Sequence, residues 1–333
     1  MKNLDKPLVS VIIPTYKSTD TLERAVFSAL AQMENSPEDV EVILVDDCSP
    51  DNTFEMVQQL AHSDARVKAF RLEKNAGAAG ARNYAISQAR GAWISVLDAD
   101  DWFEAGRLES LIKDAVAANV EMVADNQYFF DKKANKIVGT AFPQKGRKRV
   151  IDLDIFLKNS NATKYFDYGM FKPIFRADFL KKHAIEYYVP DLIGHDYYIS
   201  FCFFAAGGKG FLIDVPYYNY EQPFGSLSRE PQREGRKHYN PVSQRIVHQH
   251  FIDVFRDKLS EGQMAELLRR YRELTALIYF YDIRSALKNK DIKTVFMLLM
   301  KTNIEFWKMI GDRTLIRFRR KFFGLPAYMF SDL

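Results

Sequence analysis

The sequence predicts an α/β fold, a mainly parallel sheet with helices on both faces, continued by a helical carboxy-terminal region. Three observations predict it. From Leu8 to about Tyr128, short β-branched runs alternate with longer segments of helical period, the spacing of right-handed βαβ units. Each of the first four strand-like runs ends in a polar cluster. From about His238 the apolar periodicity is helical throughout.

The elements follow in order. The run at 9–13 is stopped by Pro14 and followed by a helical segment at 21–32. The run at 40–45 contains Val42, Ile43, Leu44 and Val45 in succession, as suits a strand buried on both sides. A helix at 53–62 comes next, then a strand at 67–72. A Gly/Ala loop from Asn75 opens the helix at 78–89, and a strand at 93–97, a helix at 107–118 and a strand at 120–128 complete the pattern. Residues 131–220 lose this rhythm, with a polar hairpin at 131–136 and a basic loop at 144–149. Helices are predicted at 246–259, 263–287 and 292–307, with a last one at 313–323 that sets Arg317, Arg319, Arg320 and Lys321 beside Ile316, Phe318, Phe322 and Phe323. The expected division is residues 1–230 as one domain, with a ligand-binding part at 1–128 and a second part at 129–230, and residues 231–333 as a helical extension.

Composition narrows the class. The 333 residues are 47% hydrophobic and 27% charged, which excludes disordered and low-complexity classes and leaves ample chain for a core. The net charge of +4 hides an asymmetry. Residues 1–130 carry 12 Lys and Arg against 21 Asp and Glu, net −9, and the remainder 35 against 22, net +13. Two cysteines, Cys48 and Cys202, make no disulfide framework, as in a reducing compartment. The first residues do not read as a signal peptide, and no apolar run nears the roughly 20 residues that span a bilayer, so the chain is not expected to cross a membrane. Basic residues spread over helices without a recognised module argue against nucleic acid.

The polar clusters are Pro14, Thr15 and Tyr16; Asp46 to Ser49; Glu73 to Gly77; and Asp98 to Asp101. In an open parallel sheet they share the edge where ligands bind. Ser49 and Asp51 also read as ordinary capping and turn residues, and Asp98 to Asp101 as a turn before the next helix. Asp98, Asp100 and Asp101 repel one another unless a cation sits among them, and their oxygens suit Mg²⁺ or Mn²⁺ completed by a diphosphate better than Zn²⁺. The loop from Asn75 to Asn83 suits an anion at a helix amino end. It is not GxGxxG, so a dinucleotide site is not expected.

Together, 9–16, Asp46-Asp47-Cys48-Ser49, Asn75 and Gly77 with Ala81-Arg82-Asn83, and Asp98-Ala99-Asp100-Asp101 resemble the signature of family 2 glycosyltransferases with the GT-A fold. The resemblance covers roughly residues 8–225. It implies transfer of a sugar from a nucleotide diphosphate donor, with inversion and with a divalent metal, Mn²⁺ or Mg²⁺. Pro14, Thr15 and Tyr16 would begin the nucleotide pocket, Tyr16 stacking on the base. Asp47 would accept from a uracil-like edge. Asn75, Gly77, Arg82, Asp98 and Ala99 would line the nucleotide-sugar site, with Asp100 the direct metal ligand and Asp98 a metal-water or ribose partner.

The resemblance also implies a catalytic base, which falls on Asp196, with His195 standing where the family has Glu. Ser228 and Arg229 would belong to a loop over the diphosphate. The acceptor would be a glycan or a polyprenyl-linked oligosaccharide in cell-surface or exported polysaccharide synthesis, in the cytoplasm and at the inner face of the membrane, with 313–323 as a peripheral contact. Two other classes compete. A sugar-1-phosphate nucleotidyltransferase would show a Gly-rich phosphate loop after the first strand, where Pro14-Thr15-Tyr16-Lys17 stands. A non-catalytic sugar-binding module would not need Asp98, Asp100 and Asp196 together.

Overall fold

A computed structural model describes residues 8–142, 144, 146–163, 168–187, 194–222 and 241–323, with the side chains of 315–323 left out. Its first elements are β1 (Val9–Thr15), α1 (Leu22–Leu30), β2 (Val40–Asp46), α2 (Thr53–Ser63), β3 (Val67–Arg71), α3 (Gly77–Gln88) and β4 (Trp93–Val96). β5 (Trp102–Phe103), α4 (Arg107–Ala118), β6 (Met122–Asp131), β7 (Lys136–Thr140), β8 (Lys148–Ile151) and α5 (Leu153–Asn159) follow. The remainder is β9 (Ile174–Arg176), α6 (Ala177–Lys182), α7 (His195–Ala205), β10 (Gly210–Gln222), α8 (Pro241–Phe255), α9 (Glu261–Lys288), α10 (Ile292–Leu299) and α11 (Ile304–Phe323). The chain forms two compact units, residues 1–153, 169–191 and 195–224 in one and residues 154–168, 192–194 and 225–333 in the other.

The first unit holds the sheet, in the order β3-β2-β1-β4-β9-β6-β10-β5, with β7 on β6 and β8 on β10. Among the first four strands every pairing is parallel. Beyond β4 the sheet is mixed, because β9 runs antiparallel to both β4 and β6 while β6 and β10 are parallel. The α/β fold expected from the sequence is the one observed, and the βαβ rhythm accounts for its parallel half. All seven residues of β2 are buried. Pro14 lies in β1 beyond Ile12, where the β4 pairing ends, so its missing N–H removes no ladder bond on that side.

Polar residues inside these strands have partners. Glu41 of β2 accepts from Ser10 Oγ at 2.6 Å and from the Arg90 backbone N–H at 2.8 Å, and it takes both guanidinium contacts of Arg90 at 3.0 Å. Gly91 is required there, because a Cβ would stand 2.5 Å from the Ser10 backbone nitrogen. Arg107, fully buried at the start of α4, makes a two-pronged pair with Asp125 at 2.7 and 3.1 Å and donates to the Lys172 carbonyl at 2.6 Å.

The second unit is helical. Ser260 and Gln263 form a capping box at the start of α9, and Leu274, Leu277, Ile283, Phe306 and Met309 make its core. The helix predicted over 292–307 is two helices. Asn303 accepts from the Phe306 backbone N–H at 3.0 Å, so a new cap starts α11, which runs without a break into the basic 313–323 segment. Part of the basic loop expected at 144–149 pairs as β8 with β10.

Candidate active site

Three loops at the carboxyl edge of the parallel strands are tied together around Asp47. Its backbone N–H donates to the Thr15 carbonyl at 2.9 Å, Oδ1 accepts from the Ala76 N–H at 2.7 Å, and its carbonyl accepts from Asn75 Nδ2 at 3.0 Å. Gly77 then turns into α3 with φ +72°, a conformation that favours glycine. Tyr16 is 45% exposed, with the Lys17 ammonium 5.3 Å from its ring centre. Pro14, Thr15, Tyr16, Asp47, Asn75 and Gly77 therefore meet at one sheet edge. Tyr16 offers an open ring, whereas Asp47 is buried and engaged with backbone.

A second cluster lies around Asp98. Arg82, buried on α3, donates to Asp98 Oδ1 at 2.5 Å and stands 3.7 Å from Asp196 Oδ1. The buried Lys172 ammonium donates to Asp98 Oδ2 at 2.6 Å and to Asp196 Oδ2 at 2.7 Å. Burial opposes the charge on the Lys172 ammonium, but Asp196 and then Asp98 outweigh it and hold it above its ordinary value. Lys172 and Arg82 likewise outweigh burial at Asp98 and hold its carboxyl well below the usual range. Two basic residues thus bridge the Asp98–Asp101 turn to the start of α7.

The cation that the sequence demands among the three carboxylates is therefore supplied to Asp98 by the chain itself. Asp101 is not part of that arrangement. It accepts from the Tyr218 hydroxyl at 2.6 Å and from the Glu221 backbone N–H at 2.8 Å, joining this turn to β10, and burial and then Asp100 raise its carboxyl. Asp100 faces solvent on one side, yet the protein packed around it and the negative Asp98 push its carboxyl up to about 6. Among the described residues no basic side chain pairs with it, and no three His, Cys, Asp or Glu side chains form a metal cage. A divalent ion held by one carboxylate and completed by substrate phosphates needs no such cage, so the all-oxygen chemistry of Asp100, with Asp98 behind it, fits Mg²⁺ or Mn²⁺.

His195 is the first residue of α7 and is half-buried. Burial, followed by the Arg82 charge, pushes its imidazole down to about 4, so it is neutral at physiological pH. Ala99 is buried within the turn. Ser228 and Arg229 lie outside the described residues. Sequence reasoning passed over Lys172, whose signal was a lone charge in the apolar stretch Met170-Phe171-Lys172-Pro173-Ile174-Phe175. It also passed over Tyr187, whose ring lies 5.2 Å from the Arg82 guanidinium.

The model of glycosyl transferase family 2 matches residues 10–183. The succinoglycan biosynthesis protein ExoO of Rhizobium meliloti is 30% identical over 281 residues, covering 84% of this chain and 78% of that protein. The chain belongs to glycosyl transferase family 2. A further relative of this glycosyltransferase is WfgD of Escherichia coli, a UDP-Glc:alpha-D-GlcNAc-diphosphoundecaprenol beta-1,3-glucosyltransferase, 37% identical over 143 residues, or 43% of this chain and 54% of the relative.

Among solved structures, residues 1–349 of S. aureus TarS in complex with UDP-GlcNAc align with a TM-score of 0.53 at 19% identity, over 87% of this chain and 90% of that one. The mannosyltransferase PcManGT of Pyrobaculum calidifontis, in complex with GDP-Man and Mn²⁺, aligns with a TM-score of 0.56 at 16% identity, over 97% and 85%. At these identities the likeness is one of fold.

Proposed function

We propose that this glycosyltransferase moves a hexose, with inversion, from a UDP-sugar to a hydroxyl of a glycan or polyprenyl-linked acceptor in polysaccharide biosynthesis, at the cytoplasmic side of the membrane. The observation that carries the reading is the Lys172 bridge, which holds the Asp98 carboxylate and the Asp196 carboxylate on one ammonium. This juxtaposition supports a reading in which Asp98 on the donor side and Asp196 on the acceptor side face one reaction centre. The succinoglycan biosynthesis role in ExoO's name and the diphosphoundecaprenol acceptor in WfgD's name support a polysaccharide or polyprenyl-linked acceptor, and the UDP-Glc in WfgD's name supports a uridine donor.

In this reading residues 1–230 form the transferase domain. Tyr16 stacks on the base and Asp47 holds the loops that shape its pocket. Arg82 and Lys172 keep Asp98 ionised and in place. Asp196 accepts the proton of the acceptor hydroxyl, whose oxygen attacks the anomeric carbon as the bond to the nucleoside diphosphate breaks. Asp100, backed by Asp98, would hold a divalent ion, which when bound offsets charge on the leaving diphosphate.

The test is release of UDP from a panel of UDP-sugars, with and without Mn²⁺. Asp196→Asn should lower turnover by about 10²–10⁴-fold with donor binding kept. Near-normal turnover at saturating donor would remove Asp196 from this role, and no UDP release from any donor would remove the uridine assignment.

A further inference from the structure

The second unit carries an apolar surface that its own core does not use. On α10, Val295, Leu298 and Leu299 pack against that core, while Ile292, Phe296 and the C-capping Met300 recur every fourth residue on another face and are 66–74% exposed. Met297, Ile304 and Trp307 are exposed as well, at 47–62%. Ile292, Phe296 and Met300 are large exposed apolar side chains on one helix face, the composition of an interaction surface when they form a contiguous patch. Between residues 287 and 308 stand five lysines, at 288, 290, 293, 301 and 308, against Asp291 and Glu305, net +3.

We infer that α10 and the start of α11 form an interfacial face that lies on an anionic lipid surface, with Phe296, Met300 and Trp307 entering the headgroup boundary and the lysines on the acidic headgroups. The charge chooses this occupant. A two-fold contact between copies would set each patch and its net +3 against itself, whereas an acidic bilayer neutralises it. Among the described residues no helix is long and apolar enough to cross a membrane, which fits a face that lies on the bilayer. The inference deepens, and in its choice of surface rests on, the proposed placement at the cytoplasmic side of the membrane, and flotation reads it without donor or acceptor, so that its failure and a failure of UDP release are distinguishable.

The experiment is flotation of the full chain with vesicles of phosphatidylcholine alone and of phosphatidylcholine mixed with phosphatidylglycerol. The protein should float with the mixed vesicles only. The triple variant Phe296→Ser, Met300→Ser, Trp307→Ser, which alters exposed side chains, should melt with the wild type and lose flotation. The quadruple variant Lys288→Gln, Lys290→Gln, Lys293→Gln, Lys301→Gln should weaken binding at least about tenfold. Wild-type tryptophan emission should shift to the blue on mixed vesicles and not on phosphatidylcholine alone, a readout that needs no variant, and in a Trp307→Phe protein that melts with the wild type the shift should be lost. Failure of the wild type to float, flotation retained by the triple variant, or lipid-free self-association that the triple variant abolishes would each overturn the inference, the last by assigning the face to a second copy.

Discussion

Lys172 joins two carboxylates that the sequence places 98 residues apart, and removing it would leave Asp98 and Asp196 facing each other with Arg82 as the remaining basic contact among the described residues. As a positioning residue it should act on kcat more than on donor KM. Lys172→Met is expected to lower kcat by about 10²-fold, the scale of a displaced reacting group, and Lys172→Arg, which keeps a cation, should recover part of it. A folded Lys172→Met with unchanged kcat would contradict this. Asp100 gives a pH dependence. Its carboxyl, raised to about 6, keeps its proton below that pH, and a bound cation must compete with the proton. Metal-dependent UDP binding, followed by calorimetry with Mn²⁺, should therefore strengthen as pH rises through about 6 and should lose that dependence in Asp100→Asn. At this scale the sequence displayed Asp98, Asp100 and Asp196 through motif and order. It could not display Lys172 as the partner of Asp98 and Asp196, or Tyr218 as the partner of Asp101, because nothing local marks a contact made across the sheet.

The element that sets the site is the β4–β5 turn with the start of α4, held from behind by Arg107. The guanidinium is buried under the rings of Phe103 and Tyr218 at 4.5 and 5.4 Å, pairs with Asp125 of β6 and grips the carbonyl of Lys172. A buried pair with one partner removed leaves an uncompensated charge. Arg107→Met should therefore destabilise by about 3–5 kcal/mol in urea unfolding, and Arg107→Met with Asp125→Leu should recover part of the loss. A change below about 1 kcal/mol for the single variant would contradict the pairing's role. Strands β1 to β4 were legible because β-branched runs between helical segments leave few alternatives. β9 was not. Ile174–Arg176 has three residues, too few for any period, and only pairing with β4 and β6 makes it a strand.

Across the whole molecule, burial sets two kinds of titrating group against each other. His195 and His248 resist protonation, His195 down to about 4 and His248 well below the ordinary value, burial being the largest cause in each. Between about pH 6.5 and 4 the unfolded chain therefore binds more protons at these sites, and their contribution to stability is lost as pH falls. Asp101, Asp125 and Glu273 are raised by burial and have the opposite sign, contributing stability that is lost as pH rises. Replacing one histidine isolates its share. His248→Gln should lose less unfolding free energy than the wild type between about pH 6.5 and 5, and equal losses would show that His248 does not carry it. The α/β class, the order of the polar clusters along one strand edge and the helical region that follows were already in the sequence, since these rest on local periodicity and spacing, and the family was legible there only as a resemblance carried by the motif residues. Tertiary structure alone decided that the chain's own Arg82 and Lys172 neutralise Asp98, that Asp101 serves β10, and that one face of α10 is left to solvent. Charge compensation and burial depend on which distant residues a fold brings within a few ångströms, and no local pattern encodes that distance.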